Sequence, residues 1–367
     1  MREWAEAIWL KMQSKMAAQC ERTGTAVPYI PINGRFTDKI KDNLYWWTNG
    51  FWSGMLWIMY HATRDEKYFQ TARGIEERLD AALAGFEGLH HDVGFMWTHA
   101  SVLDWRLTGD KTARIRALHA ATILAGRYNP RGRFIRAWNK DREYVGWIIV
   151  DCMMNLSLLY WAFKETGDPR FKFIALDHAD TALKYLVRED GSCNHIAVLD
   201  PENGALVDTP AGQGYASGSS WTRGQAWALY GFTISYRHTG ESRYLEAAQR
   251  IAAYFCAEVA ACGYVPPVDF RAPLEPKKID TSAGTIAACG LLALAETEAR
   301  YSEEAFKILR AIEAAHCNWD VGTDGIVMNG TAQYNSGTDE THVPLIYGDY
   351  FFLEAVNKLR GSDLLIW

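Results

Sequence analysis

The spacing of apolar residues along most of the chain is typical of amphipathic helices. Apolar side chains recur at every third or fourth position, so that each stretch can bury one face. These stretches are residues 2–20, 49–62, 65–84, 93–107, 110–127, 151–166, 168–187, 221–238, 241–258, 281–297, 301–316 and 348–360. The pattern predicts about twelve helices.

A recurring turn motif indicates that consecutive helices are paired. Residues 63–65, 108–110, 166–168 and 239–241 read Thr-Arg-Asp, Thr-Gly-Asp, Thr-Gly-Asp and Thr-Gly-Glu. Glycine favours a left-handed helix stop, and the acidic residue favours the positive end of the next helix. Their recurrence at long, irregular intervals predicts stacked helical hairpins with insertions between them.

Long polar or glycine-rich segments separate the hairpins and carry short strand-like runs. The segments are residues 21–47, 128–145, 188–220, 259–280 and 317–347, with strand-like runs at 134–138 and 196–199. Loops of this length are usually functional. We expect one all-α domain over residues 1–367, an (α/α)6 barrel or six-hairpin toroid whose long loops form a cleft on one face. An open helical solenoid is the alternative.

The composition of the chain limits the kinds of partner that it is suited to bind. The net charge is −6 and no lysine- or arginine-rich run is present, which argues against nucleic acid and anionic membrane surfaces. The chain has 15 tryptophans, and so many flat aromatic rings suit a cleft that stacks on sugar rings.

The cysteines and the N-terminal residues bear on the compartment. The seven cysteines are scattered and form no Cys-x-x-Cys pair, so a reducing compartment is the simpler interpretation. Residues 1–8 read as an amphipathic helix and no apolar run is long enough to span a membrane. We expect a cytoplasmic protein.

Common cofactor and nucleophile motifs are missing from the sequence. There is no phosphate-binding loop, dinucleotide fingerprint, His-Glu-x-x-His or Gly-x-Ser-x-Gly. The adjacent His90 and His91 are a weak metal signal without further ligands at helical spacing. We therefore expect no metal.

Asp151 is the first candidate for chemistry. It stands between the apolar runs 147–150 and 152–154, where an ionised carboxylate is costly unless it is paired or protonated. One interpretation is a helix N-cap; the other is a general acid whose pKa is tuned by an apolar wall.

Asp92 is the second candidate and also opens an apolar, helix-like stretch, so it too could be an N-cap. If the two carboxyls meet, burial and mutual repulsion would raise the pKa of one and keep it protonated. That is what a general acid requires.

Residues 218–227 form the third candidate, in which Trp221 and Trp227 bracket Arg223. Such an arginine could grip a substrate carboxylate bidentately, or it could stack on tryptophan as a purely structural contact. Trp47, Trp138 and His195 are further candidates that could equally be core or loop residues.

Together these stretches resemble the unsaturated glucuronyl hydrolases of glycoside hydrolase family 88. The resemblance rests on WTNGFWSGMLW at 47–57, HHDVGF at 90–95, IIVDCMMNL at 148–156, DPENG at 200–204, GSSWTRGQAWALYGF at 218–232 and YGDYFFLEA at 347–355. It implies a six-hairpin (α/α) barrel that removes the C4=C5-unsaturated uronate from lyase-generated oligosaccharides.

The resemblance also implies roles for individual residues. Asp151 matches the catalytic acid/base and Asp92 its partner carboxylate, with no metal or cofactor required. The substrate-binding positions are Trp47, His91, Trp138, His195, Gln213, Trp221, Arg223 and Trp227. We expect a monomer or weak homodimer. The alternatives are an unsaturated rhamnogalacturonyl hydrolase, a sugar epimerase on a similar barrel, or a non-catalytic sugar-binding helical-repeat protein.

Overall fold

A computed structural model describes residues 1–139 and 144–367. The helices are α1 Arg2–Thr23, α2 Lys39–Asp42, α3 Phe51–Thr63, α4 Glu66–Gly85, α5 Val93–Trp97, α6 Leu103–Thr108, α7 Lys111–Ala125, α8 Cys152–Thr166, α9 Pro169–Tyr185, α10 Thr222–Thr239, α11 Ser242–Ala261, α12 Thr281–Leu294, α13 Arg300–His316 and α14 Ile346–Leu359. The strands are β1 Tyr128–Asn129, β2 Phe134–Ile135, β3 Trp147–Ile149, β4 Ile196–Leu199 and β5 Leu206–Asp208.

Six helical segments form a closed inner ring. Going round it, α3 packs on the continuous segment α5–α6, then come α8, α10, α12 and α14, and α14 packs back on α3. A π-helical turn, Thr98–Val102, joins α5 to α6. Because the ring closes, the toroid is confirmed and the open solenoid is wrong.

The outer layer consists of α1, α4, α7, α9, α11 and α13, each preceding one inner segment in the chain and packing on the ring. All the predicted helical stretches are therefore confirmed, and the short helix α2 is the addition. Since every inner segment follows an outer helix, all six inner segments run in the same direction.

The four predicted corners join inner helices to the next outer ones. Gly109, Gly167 and Gly240 adopt left-handed φ angles of 72–73°, and Arg64 does so at 57°. In each corner the threonine hydroxyl accepts a hydrogen bond from the backbone N–H two residues later. Short corners leave that end of the ring tight, so the long segments collect at the other end, as expected.

Those long segments bond to one another around the rim. The strands β3, β4 and β5 form one antiparallel sheet, in which Ile149 pairs with Ile196. Further along, Thr222 N donates to Val268 O at 3.0 Å and Tyr334 N donates to Gln213 O at 2.9 Å. The rim is therefore one connected structure that can hold side chains over the ring.

Aromatic side chains fill the interior of the ring. Phe51, Phe95, Trp227 and Phe351 are fully buried and in mutual contact, with Phe95 and Trp227 ring centroids 5.0 Å apart. This packing gives the rim face a solid apolar floor rather than an open channel. Within the described residues, the helices lack any stretch of the length and apolarity that spanning a bilayer needs.

Candidate active site

Asp151 is placed beside His195 by the pairing of β3 with β4. The ladder ends one residue before Asp151, where Val150 N donates to His195 O at 3.0 Å. This register leaves His195 Nε2 3.4 Å from Asp151 Oδ2.

The backbone next to His195 determines its tautomer. Gln213 N–H donates to His195 Nδ1 at 2.9 Å, so in the neutral ring the proton is on Nε2, the nitrogen that lies 3.4 Å from Asp151 Oδ2. Gly212 makes this approach possible, since a Cβ there would lie 2.0 Å from Nδ1. The structure thus supplies Asp151 with a fixed N–H neighbour.

Asp151 occupies the N-cap position of α8, but within the described chain its carboxylate does not cap the helix. By contrast, Asp65, Asp110, Asp168 and Asp280 each accept hydrogen bonds from the helices that they open. The N-cap interpretation is therefore correct about where Asp151 lies on the helix, but wrong about its side chain, which makes no cap hydrogen bond in the described structure.

Asp92 lies at the start of α5, in the neighbouring part of the ring, and also makes no cap bond in the described structure. Its Oδ1 is 3.1 Å from His91 Nε2, and its Oδ2 is 3.3 Å from His90 Nδ1. Asn155, one turn after Asp151 on α8, donates from Nδ2 to Asp92 Oδ1 and to Asp151 O, both at 3.2 Å. One side chain thus contacts both candidate positions.

His91 is oriented by the rim as well. Its Nδ1 lies 2.8 Å from Ala137 O, and because a carbonyl only accepts, that nitrogen carries a proton. Burial is the largest single influence and would lower the pKa of His91, but the combined effects of the Asp92 carboxylate, Asp151 and the Ala137 carbonyl outweigh it and raise the pKa. The charged form of His91 is therefore favoured.

Asp92 shows the complementary shift. Burial would raise its pKa, yet the charges of His91 and His90, with the Asn155 amide, hold the pKa of Asp92 below its ordinary value. Asp92 is therefore not the carboxyl of the pair that stays protonated. Asp92 is an ionised acceptor and does not supply the proton.

The two shifts make opposite contributions to stability as pH changes. The raised pKa of His91 stabilises the fold below about pH 6.5, and this contribution is lost as pH rises through the folded-state pKa. The lowered pKa of Asp92 stabilises the fold above about pH 4, and this is lost as pH falls through its folded-state pKa. The pair is therefore ionised near neutrality.

Asp92→Asn is expected to reverse the direction of the His91 shift. Burial is already the largest single influence on His91, and without the Asp92 carboxylate its main opposition is lost, so the pKa of His91 should fall below its ordinary value of about 6.5. Histidine NMR titration measures this directly, with the exposed His119 as an internal reference. A raised pKa that survives in Asp92→Asn would contradict the ion pair.

Two tryptophans lie against the histidines that contact the candidate carboxylates. Trp138 lies 6.0 Å from the His91 ring and Trp221 lies 4.3 Å from the His195 ring. Trp47 packs between Trp227, at 6.5 Å, and Tyr347, at 4.8 Å. The four predicted tryptophans are thus on the rim face or its apolar floor.

Arg223 is completely buried and its donors are largely engaged by the protein. Nη1 donates to the Asp280 carboxylate and, at 2.8 Å, to Thr331 O, while Nη2 donates to Ala332 O. The guanidinium also lies 4.6 Å from the Trp221 ring. This geometry matches the structural interpretation of Arg223, and its role as a substrate contact stays a prediction.

Gln213 makes a similar bridge between segments. Its side-chain Nε2 donates to Ala332 O at 2.8 Å while its backbone positions His195. Asp280, like Asn155, was missed by the sequence analysis. The available signal for Asn155 was its position one helical turn after Asp151, which places both on one face.

Several buried polar atoms on this face have no hydrogen-bond partner among the residues that the structure describes. They are His91 Nε2, Asp151 Oδ2, His195 Nε2, Trp221 Nε1 and Trp227 Nε1. The His91–Asp92 and His195–Asp151 contacts are close but do not have hydrogen-bond geometry. Unpartnered buried donors and acceptors are costly, so their clustering indicates a site for a polar ligand.

The same face contains the one group of possible metal ligands found in the described chain. One ligand atom from each of His90, His91 and Asp92 lies within 4.8 Å of the others. The contacts of Asp92 with His91 and His90 account for this proximity. The expectation of no metal stays a prediction.

Comparisons with known proteins agree on the family. The family model described as Glycosyl Hydrolase Family 88 matches residues 31–290. The unsaturated glucuronyl hydrolase of Bacillus sp. (strain GL1) is 37% identical, over 96% of this chain and 95% of that protein. The unsaturated chondroitin disaccharide hydrolase of Streptococcus pyogenes serotype M1 is 32% identical, over 87% of this chain and 84% of that protein.

The solved structures extend the similarity to three dimensions. A crystal structure of the Bacillus sp. GL1 unsaturated glucuronyl hydrolase, described as responsible for the degradation of glycosaminoglycan, superposes with a TM-score of 0.91. It is 35% identical and covers 98% of this chain and 97% of its own.

Proposed function

Because the chain belongs to glycoside hydrolase family 88, we propose that it removes the non-reducing-end 4,5-unsaturated uronate from oligosaccharides that polysaccharide lyases leave. The observation that carries this is that Asp92 and Asp151 lie at adjacent inner-helix starts, where Asn155 donates to the Asp92 carboxylate and to the Asp151 backbone carbonyl. Unpartnered imidazole and carboxylate atoms and a tryptophan wall complete a site suited to a sugar acid.

In the proposed mechanism Asp151 acts as general acid and then as general base. The C4=C5 bond of the substrate is an enol ether, so a proton from Asp151 adds to C4 and positive charge develops on C5 and the ring oxygen. Water then adds to C5 and gives its proton to the Asp151 carboxylate. The resulting hemiketal opens, the sugar rearranges and the remaining saccharide is released.

His195 supports the step in which Asp151 becomes charged. Its Nε2 lies 3.4 Å from Asp151 Oδ2, close enough for the ring N–H to stabilise the carboxylate electrostatically once the proton has gone to C4. Because the rim fixes the tautomer in advance, little reorganisation is needed at the moment of reaction.

Asp92 supplies a fixed negative charge in the same site. As an ionised carboxylate held by His91 and Asn155, it can stabilise the positive charge that develops on the sugar ring. It can also accept hydrogen bonds from sugar hydroxyls. Both roles require its carboxylate to face the pocket rather than cap its own helix.

The remaining predicted residues form the walls of the proposed pocket. Trp47, Trp138, Trp221 and Trp227 offer flat surfaces to the sugar, and His91 offers a cation to its carboxylate. Gln213 and Arg223 are proposed as polar contacts, although both already tie rim segments together.

The direct test is an assay on unsaturated disaccharides from glycosaminoglycan lyases, which should lose the ultraviolet absorbance of the conjugated double bond. A parallel assay uses the products of rhamnogalacturonan lyases. Turnover of these products would identify the alternative, an unsaturated rhamnogalacturonyl hydrolase. If the protein turns over neither class of product, the proposal is wrong. The names of the relatives favour the glycosaminoglycan arm.

We propose that the protein acts in the cytoplasm as a single domain, and as a monomer or weak homodimer, with no nucleic-acid or membrane partner. All seven cysteines lie in the described residues and are free, which supports a reducing compartment. The buried apolar residues of inner and outer layers form one continuous cluster, which supports a single folding unit.

A further inference from the structure

Asn155 is fully buried, and its side-chain amide bonds to the start of α5, where Asp92 lies, and to the backbone of Asp151. Its Oδ1 accepts from Phe95 N at 2.7 Å, while Nδ2 donates to Asp92 Oδ1 and to Asp151 O. The amide orientation is therefore fixed from both ends.

Phe95 N is the group that Asp92 would ordinarily bind. Asp92 is the N-cap residue of α5, and an N-cap carboxylate accepts from the backbone N–H two or three residues later. Asp110 shows that ordinary behaviour, since it accepts from Thr112 N and Ala113 N. At α5 this position is taken by a side chain from α8.

Gly94 shows that this contact is a close approach of two helices. A Cβ at residue 94 would lie 2.6 Å from both Cα and Oδ1 of Asn155. Residue 94 therefore has to be glycine for the Asn155 amide to reach Phe95 N.

We propose that Asn155 is a positioning residue that caps α5 in place of Asp92 and so keeps the Asp92 carboxylate turned to the pocket. This deepens, and rests on, the function proposed above. Without the amide, the free Phe95 N–H would attract Asp92, because a short acidic side chain readily bonds to its own helix start. Asn155 would then act on catalysis through Asp92, without contacting the substrate.

Asn155→Ala is the primary test, with kcat, KM and a crystal structure of the variant. We expect kcat on an unsaturated disaccharide to fall about 10²-fold, because a reacting-site group has moved by an ångström or more. KM should change less than about threefold if Asp92 acts on the transition state. In the crystal structure, Asp92 should accept from Phe95 N.

Two further variants separate positioning from general loss of stability. Gly94→Ala should reproduce the kcat loss, since it displaces the same amide. Asn357→Ala is the matched control: Asn357 is also buried, on α14, and should cost stability without lowering kcat.

Failure of the proposal for Asn155 can be distinguished from failure of the proposed function. A wild-type protein that leaves unsaturated disaccharides intact overturns that function, while the crystal structure of Asn155→Ala still shows where Asp92 points. If Asn155→Ala keeps kcat within about threefold of wild type, the inference is wrong. It is also wrong if kcat falls but Asp92 stays against His91.

Discussion

Asp151→Asn is expected to lower kcat on unsaturated disaccharides by about 10³- to 10⁴-fold, because an amide can neither deliver a proton to C4 nor take one from water. The fold should survive, since the Asp151 carboxylate does not cap α8 and its Oδ2 has no hydrogen-bond partner in the described structure. Initial rates of absorbance loss and a thermal unfolding curve measure the two effects separately.

Asp168→Asn provides a matched control for that variant. Asp168 is also the N-cap residue of a helix, but it caps that helix by accepting from Arg170 N at 3.0 Å and lies in a short inner-to-outer corner, away from the rim. It should change stability by at most about 1 kcal/mol and leave kcat as it was. An Asp151→Asn protein with wild-type turnover would remove Asp151 from the mechanism.

Arg223→Met is expected to cause the largest loss of stability, about 3–5 kcal/mol, because it leaves the Asp280 carboxylate buried without its cation. Arg223 is 1% exposed and Asp280 is fully buried. The carbonyl of Thr331 would lose its donor as well, and that of Ala332 would keep only Gln213 Nε2. Chemical denaturation of wild type and variant gives the difference.

The double variant Arg223→Met/Asp280→Asn tests the reason for that loss. Removing the carboxylate charge together with the arginine should recover part of the stability, so the two single effects should not add. If Arg223→Met were instead as stable as wild type but raised KM strongly, Arg223 would be a substrate contact rather than a structural tie.

The helices and the turns between them could be predicted from sequence because their causes are local. The corners at 108–110, 166–168 and 239–241 contain the left-handed glycine and the threonine that bonds across the turn. The first corner differs, since Arg64 adopts the left-handed conformation without being glycine.

The residues of the candidate site could be proposed from the sequence, but their geometry could not. Asp92 and Asp151 stood out because each interrupts an apolar run, whereas their connection through Asn155 depends on how α5 and α8 pack. The ionised state of Asp92 could not be predicted for the same reason, since the imidazoles beside it act by distance and orientation. Nothing in the sequence indicated that Asp280 pairs with Arg223.

The central claim, that the reaction begins at the C4=C5 double bond, is tested most directly by a matched pair of disaccharides. One has the unsaturated uronate and the other the saturated uronate, with the same linkage and the same second sugar. The mechanism through Asp151 requires that the unsaturated compound is consumed and the saturated one is left intact. Release of sugar from both at similar rates would contradict it, because cleavage would then begin at the glycosidic carbon.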